Sequence, residues 1–267
     1  MSPRRSGAIV LRQFYLLRGS PARILPMFAW VAIDVVLWGL FTRYLNTVAS
    51  SGFNFIPAVL GALLLWDYLV RVMQGVTTAF FEDVWSRNFL NIFATPLSIS
   101  EYVSGLVASS VATSAVALAV MLALATTVFG LSFFAYGSLL VPFLLVLFLF
   151  GVALGIFSCA VVLRLGPAAE WLIWPVPAML SPLACVFYPL SALPRWLQYP
   201  ARLLPPSYVF EAMRAIVSGR AVSGLSLMLS AGLALFYILL AGWFFTRIYR
   251  YVVRSGLIAR YSAESMS

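Results

Sequence analysis

Three charged residues fall where the sequence is otherwise most apolar. Asp34 lies near the middle of a first long hydrophobic stretch, Asp67 near the middle of a second, and Arg71 one helical turn beyond Asp67. A charge at bilayer mid-depth costs about 2.5–3.5 kcal/mol on insertion scales, so such residues face the interior of a helix bundle and find partners. Asp67 and Arg71 have the i, i+4 spacing of a same-face ion pair, and Asp34 can join them if the two helices pack together. Two roles are open to this intramembrane polar cluster. It is a patch lining a substrate route or a latch between conformations, or it is a buried ion pair that sets helix register.

Other chemistry is excluded by what the chain lacks. All 17 basic residues are Arg; Lys and His are absent. A GxxxxGK[ST] phosphate loop needs its Lys, and HExxH zinc motifs and Ser-His-Asp triads need their His. Two Asp residues without further motifs do not make an intramembrane protease. No catalytic, cofactor-binding or metal-ligating set is therefore expected, and the chain is not expected to be an enzyme. Cys159 and Cys185 lie in apolar stretches and read as packing residues. The net charge of +9 is spread over helix ends and termini rather than one soluble face, so no nucleic-acid partner is expected.

The elements that must position these residues follow from composition. Of the 267 residues 63% are apolar and 9% charged, against about 25% charged in soluble domains. This predicts an all-α membrane protein. Six transmembrane helices are expected, at about 24–45, 55–80, 103–129, 138–163, 168–192 and 225–247, each near the roughly 20 residues that cross the hydrocarbon core. Residues 1–23 hold Arg4, Arg5, Arg12, Arg18 and Arg23 among apolar residues and no acid, the pattern of an amphipathic interfacial helix. Arg is denser on the side of the two termini, which places both in the cytoplasm, with residues 248–267 as a cytoplasmic tail. Gly151, Gly155 and Ser158 form a small-xxx-small pattern suited to close helix contact.

Two connections are longer than turns. Between spans 2 and 3, Trp85, Phe89, Ile92 and Phe93 fall on one helical face, predicting a short amphipathic helix at about 84–95. Pro96 ends it, and Ser98 with Glu101 forms a capping box that opens span 3. Pro175, Pro177, Pro182 and Pro189 interrupt span 5, so it is expected to be broken. The region at about 192–224 is then expected to re-enter the outer interface as short helices anchored by Trp196 and Tyr199, with Glu211 and Arg214 paired at i, i+3. No internal repeat or soluble domain is evident, so any energy-converting domain belongs to another chain.

This layout resembles the six-span permease subunits of the type-2 ATP-binding-cassette exporters, a group that includes polysaccharide, nodulation-factor and drug exporters. The resemblance rests on the basic helix before span 1, on RNFLNIFATPLSISEYVSG at 87–105, and on SPLACVFYPLSALPRWLQYPARLLPPSYVFEAMRAI at 181–216. Pro205–Pro206 stands where the family has an Asn-Pro-like turn. The resemblance implies an exporter permease in the bacterial cytoplasmic (inner) membrane, without a nucleotide site of its own. It implies a second permease copy, cytoplasmic ATPase subunits and surrounding lipid as partners. The helix at 84–95 becomes a coupling helix, with Trp85, Arg87, Phe89 and Phe93 as ATPase contacts, and Pro189, Trp196, Glu211 and Arg214 belong to an outer gate. The substrate would be a glycan, a lipid-linked molecule or a hydrophobic drug. The alternative is an ATP-independent secondary transporter or channel, which often carries inverted repeats; none is seen.

Overall fold

A segment immersed in hydrocarbon must bond its backbone to itself, and a helix is the way one segment does so alone. The computed structural model describes residues 2–48, 56–86, 88, 91–92 and 94–257. Among these the regular structure is entirely helical. The helices are α1 (Pro3–Arg18), α2 (Pro21–Val48), α3 (Gly61–Trp85), α4 (Ile99–Phe129), α5 (Leu140–Leu165), α6 (Glu170–Ile173), α7 (Val176–Leu180), α8 (Arg195–Arg202), α9 (Pro205–Val217) and α10 (Gly224–Arg254). Five stretches are long and apolar enough to cross a membrane: Ala29–Val48, Ile56–Trp85, Ile99–Phe129, Tyr136–Leu165 and Gly224–Arg254. The chain therefore has the character of a multi-pass membrane protein. Its outer faces agree, because Leu37 and Leu40 of α2 and Leu239 and Trp243 of α10 stand exposed, an apolar surface suited to lipid.

These five stretches match five of the six expected spans. The remaining one, 168–192, is not a continuous helix. It is a 3-10 turn at Pro167–Ala169, then α6 and α7, then irregular turns. The interruptions fall at the prolines, which lack the N–H of the helical ladder and clash with the preceding turn.

The core is built around α3, which is buried on nearly every side between α4 and α5. The other long helices bury one stripe each. On α4 the stripe is Ser110, Ser114, Ala117, Met121 and Ala125, and on α10 it is Ala234, Ala241, Phe245, Ile248 and Val252, both at helical spacing. α10 packs on α5 through Phe150 against Tyr237 and Phe157 against Phe244. α4 begins with the expected capping box: Ser98 Oγ accepts from the Glu101 N–H, and Glu101 Oε2 accepts from the Ser98 N–H at 3.0 Å. It ends at Gly130, whose φ of 66° is a left-handed conformation that favours glycine.

The small residues of α5 form its seam with α3. A Cβ on Gly151 would lie 2.8 Å from the Leu69 carbonyl oxygen, and one on Gly155 would lie 2.8 Å from Val76 Cβ. Backbone cannot move aside as a flexible side chain can, so added volume here must separate the helices. Gly151→Val should destabilise the protein by about 1–3 kcal/mol. Gly232→Val, on a face of α10 with nothing within 4 Å, should stay within about 0.5 kcal/mol of the parent. Thermal scanning of the two purified variants in detergent compares them directly.

Candidate functional site: an acidic cleft beside the N-terminal helix

The expected intramembrane cluster forms. Arg71 Nε donates to Asp67 Oδ2 at 2.7 Å, the i, i+4 pair on α3, and Arg71 Nη2 lies 3.7 Å from Asp34 Oδ2 on α2. The first contact is a charge-assisted hydrogen bond and the second is an ion pair without one. Burial divides the roles further. The Arg71 side chain is only 9% exposed and that of Asp67 18%, whereas Asp34 is 41% exposed. Asp67 is thus the structural partner of the guanidinium, and Asp34 keeps an open flank.

That flank faces a cleft of about 600 Å³. α2 supplies Trp30 and Asp34; α3 supplies Asp67, Arg71, Gln74 and Glu82. Ser109 and Thr113 of α4 form the back, Gln13 comes from α1, and Trp174 follows α6. Helix spacing explains the α3 contribution, because residues 67, 71, 74, 78 and 82 repeat at intervals of three and four.

The side of the cleft nearest α1 holds contacts that local spacing rules do not reveal. Asp83, at the C-terminal end of α3, is fully buried. Its carboxylate accepts from the Arg12 guanidinium through one oxygen and from the Tyr102 hydroxyl through the other, the latter at 2.7 Å. The carboxylate raises the Arg12 pKa, through its hydrogen bond first. Glu101, at the start of α4, accepts from the Ser2 backbone N–H at 2.7 Å and lies 3.6 Å from Arg5 Nη1. Ser6 and Ser104 hydrogen-bond at 2.8 Å, and Ile9 packs so closely over Gly105 that a Cβ there would meet it at 2.6 Å. α1 is therefore fastened to both ends of the α3–α4 connection. Arg12, Gln13, Asp83 and Tyr102 are the residues that sequence reasoning missed. The available signal was Asp83 itself, an acid at the end of a helix whose neighbours Phe80, Phe81 and Val84 are apolar.

Of the expected coupling contacts, Trp85 donates its indole N–H to Glu170 Oε2 at 2.9 Å. Glu170 also receives the Trp174 indole at 3.1 Å, and Phe81 packs against both tryptophan rings. Half of Trp85 remains exposed. Arg87, Phe89 and Phe93 lie outside the described residues. Ile92, in the same connection, is buried.

At the opposite end, Glu211 and Arg214 pair at 2.9 Å on α9. Arg214 Nη1 also donates to the carbonyls of Cys185 and Val186, and Glu211 Oε1 accepts from the Leu190 N–H at 2.7 Å. The pair thus holds the chain reversal after α7, where Cys185 has a φ of 56°. Pro189 lies in that reversal in an extended conformation. Trp196 stands apart on α8, 71% exposed.

No family model matches the chain, and no curated protein matches its sequence.

Proposed function

We propose that this chain is the permease subunit of an exporter of the type-2 ATP-binding-cassette kind, working with a second copy and with separate cytoplasmic ATPase subunits in a bacterial inner membrane. The observation that carries the reading is the fastening of α1 across the α3–α4 connection. Asp83 immediately precedes that connection and Glu101 follows it, and both are bonded to α1. A force applied to residues 84–95 would reach α1, α3 and α4 together. Such rigid-body transmission is what coupling to an ATPase needs. The excess of Arg on the side of α1 and of the α10 C-terminus supports a cytoplasmic location of both termini, and with it a connection within reach of an ATPase. The interrupted segment 168–192 supplies the sixth, broken crossing, and α8 and α9 return at the outer interface, with the Glu211–Arg214 reversal as part of the gate. The absence of Lys from the whole chain, which rules out the usual phosphate-binding loop, supports ATP hydrolysis in a separate partner.

The test is coupling. The Phe89→Asp, Phe93→Asp double variant, co-expressed with the cognate ATPase, should insert normally and leave basal ATP hydrolysis in place. It should reduce transport to background, because two carboxylates cannot occupy an apolar docking groove. Transport at parental level in that variant, or failure of the intact chain to co-purify with any ATPase, would overturn the reading.

A further inference from the structure

We infer that the cleft between α1, α2 and α3 is a binding site for lipophilic organic cations that also carry a hydrogen-bond acceptor, and that these are the class of substrate the protein moves. The movement rests on the permease reading above; the binding does not.

The first observation is charge. The chain as a whole is strongly basic at +9, yet in and just beneath the cleft the only cations that the described residues bring to Asp34, Asp67 and Asp83 are Arg12 and Arg71. Arg12 is engaged by Asp83 and Arg71 by Asp67. The local excess is negative, and Asp34 is its accessible part: it stands 3.7 Å from Arg71 without a hydrogen bond and with 41% of its side chain open. An anion or a polyphosphate would meet repulsion here, whereas a cation completes the pairing.

The second observation is an unmet donor. Gln13 is 5% exposed, lines the cleft, and its Nε2 has no hydrogen-bond partner among the described residues. A buried amide donor without a partner is costly, and an acceptor on a bound molecule removes that cost. The third is the aromatic wall. Trp30, on the same helix as Asp34 and one turn before it, is 59% exposed, and Trp174 also lines the space. Indole faces attract cations, more strongly where water is scarce. A hydroxyl-rich glycan would find hydrogen-bonding partners in Gln74, Thr78, Ser109 and Thr113 but would leave the Asp34 charge unbalanced, so the cleft favours the amphiphilic cation.

The test uses the full chain in neutral maltoside micelles and needs no ATPase, so it stands or falls separately from the coupling experiment. A cationic rhodamine ethyl ester and the anionic fluorescein ethyl ester share one ring system and one ester acceptor but differ in charge. Fluorescence anisotropy should show saturable binding of the rhodamine and none of the fluorescein ester. Asp34→Asn should weaken rhodamine binding about tenfold or more, the loss of one charge-assisted contact. Trp30→Ala, at an exposed position, should weaken it by at least about threefold, with both variants remaining monodisperse. Equal binding of the two dyes, no saturable binding of either, or unchanged rhodamine affinity in monodisperse Asp34→Asn would each overturn the proposal.

Discussion

Asp83→Ala should destabilise the protein by about 3–5 kcal/mol, the range for removing one member of a buried ion pair. The carboxylate is fully buried and serves two partners at once. Its loss leaves the Arg12 guanidinium with only the weaker influence of Glu82 as counter-charge. Arg12 Nη1 already lacks a hydrogen-bond partner among the described residues, so it offers no existing bond to offset the loss. The loss also removes the acceptor of the Tyr102 hydroxyl, whose ring is buried against Phe80. Replacing both charges by apolar residues should cost far less than removing one, because the large term is the orphaned charge and not the lost attraction. Arg12→Met with Asp83→Leu is the matching double variant. A double-mutant cycle on thermal or denaturant stability in detergent then gives an interaction term well above the 0.3–0.5 kcal/mol scatter of independent sites. An Asp83→Ala protein within about 0.5 kcal/mol of the parent would show that α1 is not held through this contact.

That clamp also marks where sequence reasoning reaches its limit. The Asp67–Arg71 pair, the Glu211–Arg214 pair and the Ser98–Glu101 cap were all legible, because each depends on spacings of three or four residues within one helix. The α3–α5 seam was half legible: Gly151 and Gly155 announce a close approach, but not that Leu69, Val72 and Val76 make it. Arg12 and Asp83 are 71 residues apart, and no periodicity links them. The N-terminal basic pattern read as a helix resting on lipid. It is a helix, yet Ile9 and Gln13 turn inward because α4 offers Gly105 and Ser104 as a shallow bed. Leu11, Phe14 and Tyr15 stay exposed, so one face can still meet the membrane. The prolines of 168–192 were legible as breaks; that the break divides the segment into α6, α7 and a reversal held by Arg214 depends on tertiary contacts. Asp34 was legible as a mid-span acid, but not its division of labour with Asp67, which depends on how α2 leans on α3.

That division gives the sharpest contrast among single variants. Arg71→Ala should lower stability by about 3 kcal/mol or more, whereas Asp34→Asn should change it by about 1 kcal/mol or less. Removing Arg71 leaves Asp67 largely buried without its hydrogen bond, and Asp34 loses the only cation near it among the described residues. Two uncompensated carboxylates then share one low-dielectric site, each carrying the insertion cost of about 2.5–3.5 kcal/mol reduced by whatever water the cleft admits. Asp34→Asn removes a charge that is 41% exposed and forms no hydrogen bond to Arg71, while the Arg71–Asp67 bond persists. Arg71→Lys should fall between the two, because an ammonium keeps the charge but not the planar geometry of the Nε contact. Expression in the membrane, monodispersity and thermal midpoint order the three variants. If Arg71→Ala inserts and melts like the parent, the cluster is not the bundle's internal pair. If it fails while Asp34→Asn folds normally and loses cation binding, the same three residues divide into a structural pair and a ligand-facing acid. A purely register-setting ion pair would not produce that split, because each of its members would affect stability and neither would affect binding alone.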